Sequence, residues 1–212
     1  TTLILLKRWK TKNIYNFFSL KFMIYLYTGE GGGKTTNALG LALRCIGHRK
    51  RVVIIQFMKY WKNLGEIKVS KIKGIKKYLK IYQFGRPGWI KIKKGKENKV
   101  KINGKEIVVR SIDELDRKRC LEALNFTKQI VKKEKPYLIV LDEIILANHL
   151  GLVKTKELKE LLNFIKKTNK KSNVVLTGRY ASKEVIKLSD FANEIRIIKM
   201  PKKLLAEAGI QY

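Results

Sequence analysis

Between an apolar run, Met23 to Tyr27, and a helix-like segment, Asn37 to Ile46, the chain reads Thr28-Gly29-Glu30-Gly31-Gly32-Gly33-Lys34-Thr35-Thr36. Strand, glycine loop and helix in that order can cradle a polyphosphate. Glycines let backbone N–H groups turn inward, the helix N-terminus adds positive potential, and a lysine ammonium reaches the outer phosphates. Gly29, Glu30, Gly31, Gly32, Gly33, Lys34, Thr35 and Thr36 are therefore candidate nucleotide-binding residues. Lys34 is the candidate catalytic charge, and Thr35 holds the position whose hydroxyl usually ligates Mg²⁺ or Mn²⁺. The loop runs Gly-x-Gly-x-Gly-Lys-Thr from Gly29, one residue shorter than the common phosphate loop, whose first glycine would fall on Thr28.

A second acidic signal follows Leu138-Ile-Val-Leu. Asp142-Glu143 at the end of such a run can hold a divalent cation directly or through water. Arg179, after Thr177-Gly178, can fork onto a phosphate. Arg44, on the helix after the loop, is a further candidate nucleotide contact or pairs with an acid elsewhere, and Glu66 after Gly65 is an equal candidate for the site. His48 and His149 are too few and too far apart in sequence for a metal site.

These residues need a scaffold that gathers them. Strands are expected over Phe22 to Thr28, Arg51 to Phe57, Leu79 to Phe84, Tyr137 to Leu141, Asn173 to Thr177 and Glu194 to Lys199. Helices are expected from Lys34 to about Gly47, from a capping box at Ser111-Ile112-Asp113-Glu114 to about Glu134, over Lys156 to Thr168, and over Ser182 to Asp190. Strands alternating with helices predict an α/β fold with a mostly parallel sheet and helices on both faces. Ligands of such sheets bind beyond the strand carboxyl ends. That rule collects the glycine loop, Gln56, Lys59, Asp142, Glu143 and Arg179 along one edge. Residues 90–110 alternate around Asn103-Gly104 and read as a basic surface hairpin inserted before the next helix. Residues 1–21 read as an N-terminal arm outside the sheet, and 22–212 as one domain.

The charge is extreme: 48 Lys+Arg against 17 Asp+Glu, a net +31. Only ten of the 48 are arginine, and the lysines are spread along the chain. Phosphate and base readout favour arginine, so nucleic acid is the weaker reading of this surface. No run approaches the roughly 20 apolar residues of a membrane span. Cys45 and Cys120 lack metal-ligand spacing, which fits reduced thiols in the cytoplasm.

In order along the chain occur the loop Thr28 to Thr36, Gly40-Leu-Ala-Leu-Arg44 through Gly47-His48, Val53-Ile-Ile-Gln-Phe-Met-Lys59, Gly65-Glu66, Leu141-Asp-Glu143, Thr177-Gly-Arg179 and Gly209-Ile-Gln-Tyr212. Together they resemble the ATP:corrinoid adenosyltransferases of the phosphate-loop type, over about residues 22–212 without the hairpin. The resemblance implies a phosphate-loop, RecA-like fold and a reaction: Co(I) of a corrinoid attacks C5′ of ATP and inorganic triphosphate leaves. It also implies Mg²⁺, a homodimer, a nucleotide lying in the opposite sense to kinases, and an acidic flavodoxin-like reductant that the basic surface would attract. Aromatic residues that wall off the cobalt map onto Phe84-Gly85-Arg86-Pro87-Gly88-Trp89, with Trp89 the first choice and Phe84 the second.

This chain departs from the family pattern at three places. Gly32 stands where the family loop commonly has lysine, Met200 stands near a usual Lys-His pair in a shortened tail, and the hairpin is extra. Two rivals predict different products. A phosphate-loop nucleotide kinase or NTP hydrolase would give ADP and phosphate, and a nucleic-acid-stimulated ATPase would hydrolyse with a steep salt slope.

Overall fold

The structure is a computed structural model that describes residues 22–90, 98–102, 105–201 and 207–210; the side chains of Trp89, 98–102 and 105–108 lie outside that description. The N-terminal arm and the Asn103-Gly104 turn therefore lie outside it too. Six strands form one parallel sheet: β1 (Met23–Thr28), β2 (Val52–Phe57), β3 (Leu79–Phe84), β7 (Leu138–Asp142), β8 (Asn173–Thr177) and β9 (Phe191–Glu194). Their order is β3-β2-β7-β8-β1-β9, so one strand separates the glycine-loop strand from the one ending in Asp142.

The buried middle strands explain themselves by composition. β2 is Val-Val-Ile-Ile-Gln-Phe and is buried at every position. Val53, Ile55 and Phe57 enter one core cluster, and Val52 and Ile54 the other. Covering a parallel sheet on both faces demands such a run. Each of these side chains contributes about 1.5–3 kcal/mol by leaving water.

Helix α1 (Lys34–Gly47) covers one face through Ala38 and Ala42, small enough to seat it closely against β1, β7 and β8. The opposite face carries α3 (Glu114–Glu134), α4 (Ile144–His149) and α5 (Thr155–Thr168). Leu158, Leu161, Leu162 and Ile165 give α5 its buried stripe. Arg117 of α3 grips Glu157 of α5 with two bonds, at 2.8 and 2.5 Å. The remaining helices, α2 (Gly65–Ser70) and α6 (Lys183–Lys187), are short. A second sheet of β4 (Trp89–Ile90), β5 (Asn98–Ile102) and β6 (Lys105–Arg110) lies between β3 and α3 in sequence, with β5 and β6 antiparallel.

The structure corrects three expectations and adds two short helices. The cap of α3 is Asp113, not Ser111: its carboxylate accepts from the N–H groups of Leu115 and Asp116, and Asp116 bonds back. The last strand is Phe191–Glu194 rather than Glu194 to Lys199, because the chain leaves the sheet at Ile195 to cover the glycine loop. The helix after Ser182 stops at Lys187. Helices α2 and α4, too short for a periodic pattern, had no sequence expectation.

Candidate active site at the carboxyl edge of the sheet

β1 delivers the glycine loop to the start of α1. Gly29 and Gly33 take φ of 99° and 100°, a left-handed conformation that side chains resist. A Cβ at Gly29 would also lie 2.4 Å from the Ile195 carbonyl oxygen. That close approach is structural: Ile195 donates its N–H to Thr28 and accepts from the Gly31 N–H, at 2.8 and 2.9 Å. The isoleucine after β9 thus straps the loop, a backbone role that no side-chain motif announces.

Lys34 is only 6% exposed. Its ammonium folds back onto the carbonyls of Gly29 (2.8 Å) and Gly31 (2.5 Å). Burial, then the charge of Arg179, pushes it below the usual lysine range, against the pull of Glu143 and Asp142. An ammonium in that setting gains from a polyanion that replaces its carbonyl partners.

Asp142 is fully buried and is the hub of the site. Thr35 and Thr177 donate their hydroxyls to Oδ1 at 2.9 and 2.6 Å. Lys59 Nζ lies 2.6 Å from Oδ2, and Gln56 Nε2 donates there at 3.2 Å. Burial alone would raise this carboxyl; the Lys59 charge and these donors outweigh it and hold it below the ordinary range. Glu143 shows the opposite balance. Burial dominates and pushes its carboxyl up, with Asp142 adding to the shift and Lys59, Lys34 and Arg179 opposing it. Its Oε2 is buried without a hydrogen-bond partner among the described residues.

Three residues just past the strand ends hold left-handed backbones without being glycine: Met58 after β2 (φ 58°), Glu143 after β7 (φ 63°) and Tyr180 near the end of β8 (φ 62°). Such strain gathers where function over-determines the chain. All three lie on the same edge of the sheet as the glycine loop.

The donor set fits a hard divalent cation. Thr35, Asp142 and the orphaned oxygen of Glu143 are all oxygen ligands, the class that suits Mg²⁺ and Mn²⁺. Among the described residues no group of three His, Cys, Asp or Glu could hold a metal. Phosphate and water oxygens would complete the shell.

The remaining candidates divide. Arg179 is exposed, yet its charge acts on Lys34 and Glu143. Arg44 is not brought to this cluster: it is exposed in the last turn of α1, ten residues and about 15 Å of helix from Lys34. The Phe84 ring packs on Phe126 of α3, centroids 5.3 Å apart, on the face away from α1. The Trp89 backbone pairs with Val109, and its side chain lies outside the described residues. Gln56, Glu66 and Lys59 join the site through Asp142 and one another, with Gln56 Nε2 3.2 Å from Glu66 Oε1. A glutamine inside the otherwise apolar β2 run was the sequence signal for them.

Neither thiol is poised as a nucleophile. Burial pushes Cys120 up to about 12 and raises Cys45 as well. An open cleft of about 560 Å³ lies beside Thr35, Lys59 and Glu66, walled by Leu39, Leu43, Trp61 and Val69. It offers apolar surface beside the phosphate cradle.

The model of a family described as ATP:corrinoid adenosyltransferase BtuR/CobO/CobP matches residues 21–212. The corrinoid adenosyltransferase of Escherichia coli strain K12 is 25% identical over 193 residues, covering 90% of this chain and 85% of that protein. The corrinoid adenosyltransferase CobA of Salmonella typhimurium gives the same figures. A corrinoid adenosyltransferase of Sinorhizobium sp is 25% identical over 195 residues, 91% of this chain and 81% of that protein.

Proposed function

The chain belongs to the ATP:corrinoid adenosyltransferase family, and on that premise we propose how its residues divide the work. The activity is transfer of the 5′-deoxyadenosyl group of ATP to the Co(I) of a corrinoid. Cobalt supplies the electron pair, a cobalt–carbon bond forms, the C5′–O bond breaks, and triphosphate leaves with the bonding pair. The nucleophile comes with the substrate, so no protein base has to make one.

The protein's task is then to hold and neutralise a polyanionic leaving group. The observation that carries this reading is the cluster of Lys34, Thr35, Asp142 and Lys59 at the mouth of the glycine loop. Backbone N–H groups of Gly29 to Thr36 cradle the triphosphate, with Lys34 on the oxygens that gain charge. Thr35 and Asp142 would hold the divalent cation, and Glu143 would join them directly or through water. When bound, Mg²⁺ or Mn²⁺ supplies charge neutralisation on the departing oxygens. Arg179 approaches from the end of β8 as a further phosphate contact.

The corrinoid belongs on the β2–β3 side of the loop. Two features support that side: the 560 Å³ cleft, and the segment from Phe84 to Trp89 that starts at the tip of β3. Trp89 remains the proposed shield of the cobalt; the packing of Phe84 on Phe126 favours a supporting role for that ring. Both cob(I)alamin and cob(I)yrinic acid a,c-diamide are proposed substrates, because they share the ring and metal that meet C5′. The family reading also carries a homodimer, a cytoplasmic setting and an acidic flavodoxin-like reductant; the net charge of +31 supports the last.

The test supplies each chemically reduced corrinoid with ATP and Mg²⁺ and follows the light-sensitive cobalt–carbon product. Rates within tenfold of each other are expected. Turnover of one corrinoid alone would refute the shared-ring reading.

A further inference from the structure

We propose that Lys59 is the resident placeholder of the cation site. Its ammonium occupies the point between Thr35 and Asp142 that the divalent cation takes with ATP, so metal and Lys59 bind there in alternation. The proposal deepens the reading of Thr35 and Asp142 as cation ligands and rests on it.

The geometry is that of a bound cation. Lys59 Nζ lies 2.6 Å from Asp142 Oδ2 and 3.2 Å from Thr35 Oγ1. The Thr35 hydroxyl donates its proton to Asp142 Oδ1, which leaves its lone pairs for the ammonium. Asp142 is fully buried, and a buried carboxylate stripped of its counter-ion is strongly destabilising. Before a metal arrives, Asp142 therefore needs a cation beside it, and Lys59 is that cation.

The backbone aims Lys59 inward. Met58 holds a φ of 58° immediately after β2 and donates its N–H to the Phe84 carbonyl. Gly85 packs against the backbone of this turn: a Cβ there would sit 2.4 Å from the Met58 carbonyl carbon and 2.5 Å from the Lys59 nitrogen. A strained residue and a close backbone approach thus both serve the direction of one side chain.

Occupancy by both cations is sterically excluded. Mg²⁺ requires oxygen ligands at about 2.0–2.1 Å in octahedral array, and an ammonium touching the same two oxygens stands in that space. The displaced ammonium has partners at hand, since the carboxylates of Glu143 and Glu66 already act on its charge. It also stays beside the triphosphate, where one more positive charge assists departure.

Mn²⁺ alone is titrated into the full chain, with and without ATP, and the unbound ion is read by electron paramagnetic resonance. Wild type is expected to bind Mn²⁺ at least tenfold more weakly without ATP than with it. Lys59→Gln is expected to tighten the ATP-free binding at least tenfold, and adding Asp142→Asn to that variant to remove the gain. Equal binding to wild type with and without ATP overturns the proposal, whether or not any variant folds. So does Lys59→Gln at the wild-type value, or a gain that survives Asp142→Asn. If Asp142→Asn alone leaves Mn²⁺ binding in the presence of ATP unchanged, the cation reading itself fails and the placeholder falls with it.

Discussion

Thr177 Oγ1 lies 2.6 Å from Asp142 Oδ1, and the same oxygen accepts the Glu143 N–H at 2.9 Å. One buried hydroxyl at the tip of β8 therefore orients both acids at the tip of β7. Thr177→Val keeps the shape and removes the donor. It is expected to weaken the metal dependence of turnover about 10–100-fold, as loss of a group that orients a ligand does. Leaving the carboxylate short of a donor is expected to cost about 1–3 kcal/mol. Metal titration of the rate and urea unfolding measure the two, and Thr177→Ser should recover most of both.

Glu143 and Asp142 should respond to pH in opposite senses. The folded pKa of Glu143 is raised, so its contribution to stability is complete below the ordinary glutamate value of about 4.3 and is lost as pH rises through the folded value. At neutral pH the charged group is a net cost. Glu143→Gln should melt higher than wild type at pH 7, with the gap closing toward about pH 4, while adenosyl transfer falls. Asp142 is lowered, so it stabilises above about 3.9 and that contribution disappears as pH falls through its folded value. Asp142→Asn should melt lower than wild type at pH 7 and converge with it in acid. Melting curves across pH check both, and parallel curves for either variant would contradict the assignment.

Two glycines should tolerate substitution very differently. A Cβ at Gly85 meets backbone at 2.4 Å, whereas one at Gly32 meets nothing within 4 Å. Gly85→Ala should displace the Met58–Lys59 turn, destabilise the fold by about 1–3 kcal/mol and slow turnover. Gly32→Lys should fold like wild type and lower the KM for ATP several-fold by adding a cation to the cradle. Denaturant midpoints and ATP titrations decide between these outcomes.

The sheet was legible because its strands are unmixed. β2, β7 and β8 each carry a run of three or four consecutive apolar residues, with Gln56, Asp142 and Thr177 following those runs, and the glycine loop and Asp142 marked two strand tips directly. The final strand was misplaced because Ile195, Ile197 and Ile198 carry β-branched propensity, while tertiary contact uses the Ile195 backbone to strap the loop instead. Arg44 stands in the motif, but the helix sets it about 15 Å along α1 from Lys34, away from the Asp142 cluster. Lys59 appeared only as a residue at the right edge. Its partnership with Asp142 needs the left-handed turn at Met58, which no side-chain pattern encodes.

The basic surface makes a kinetic prediction. With an acidic flavoprotein as reductant, the rate of cobalt-dependent turnover should fall steeply as salt rises, because attraction between exposed charges is screened within about 10 Å at 0.1 M. With chemically reduced corrinoid the salt dependence should largely vanish. Equal slopes in the two assays would exclude charge-guided docking.

The central claim is that the glycine loop releases an intact triphosphate as carbon moves to cobalt. The most direct measurement is phosphorus NMR of the reaction with ATP, Mg²⁺ and chemically reduced cobalamin, read beside the absorbance of the light-sensitive product. The account predicts inorganic triphosphate and adenosylated corrinoid in equal amounts, both lost in Lys34→Ala. ADP and orthophosphate with the corrinoid unaltered would contradict it.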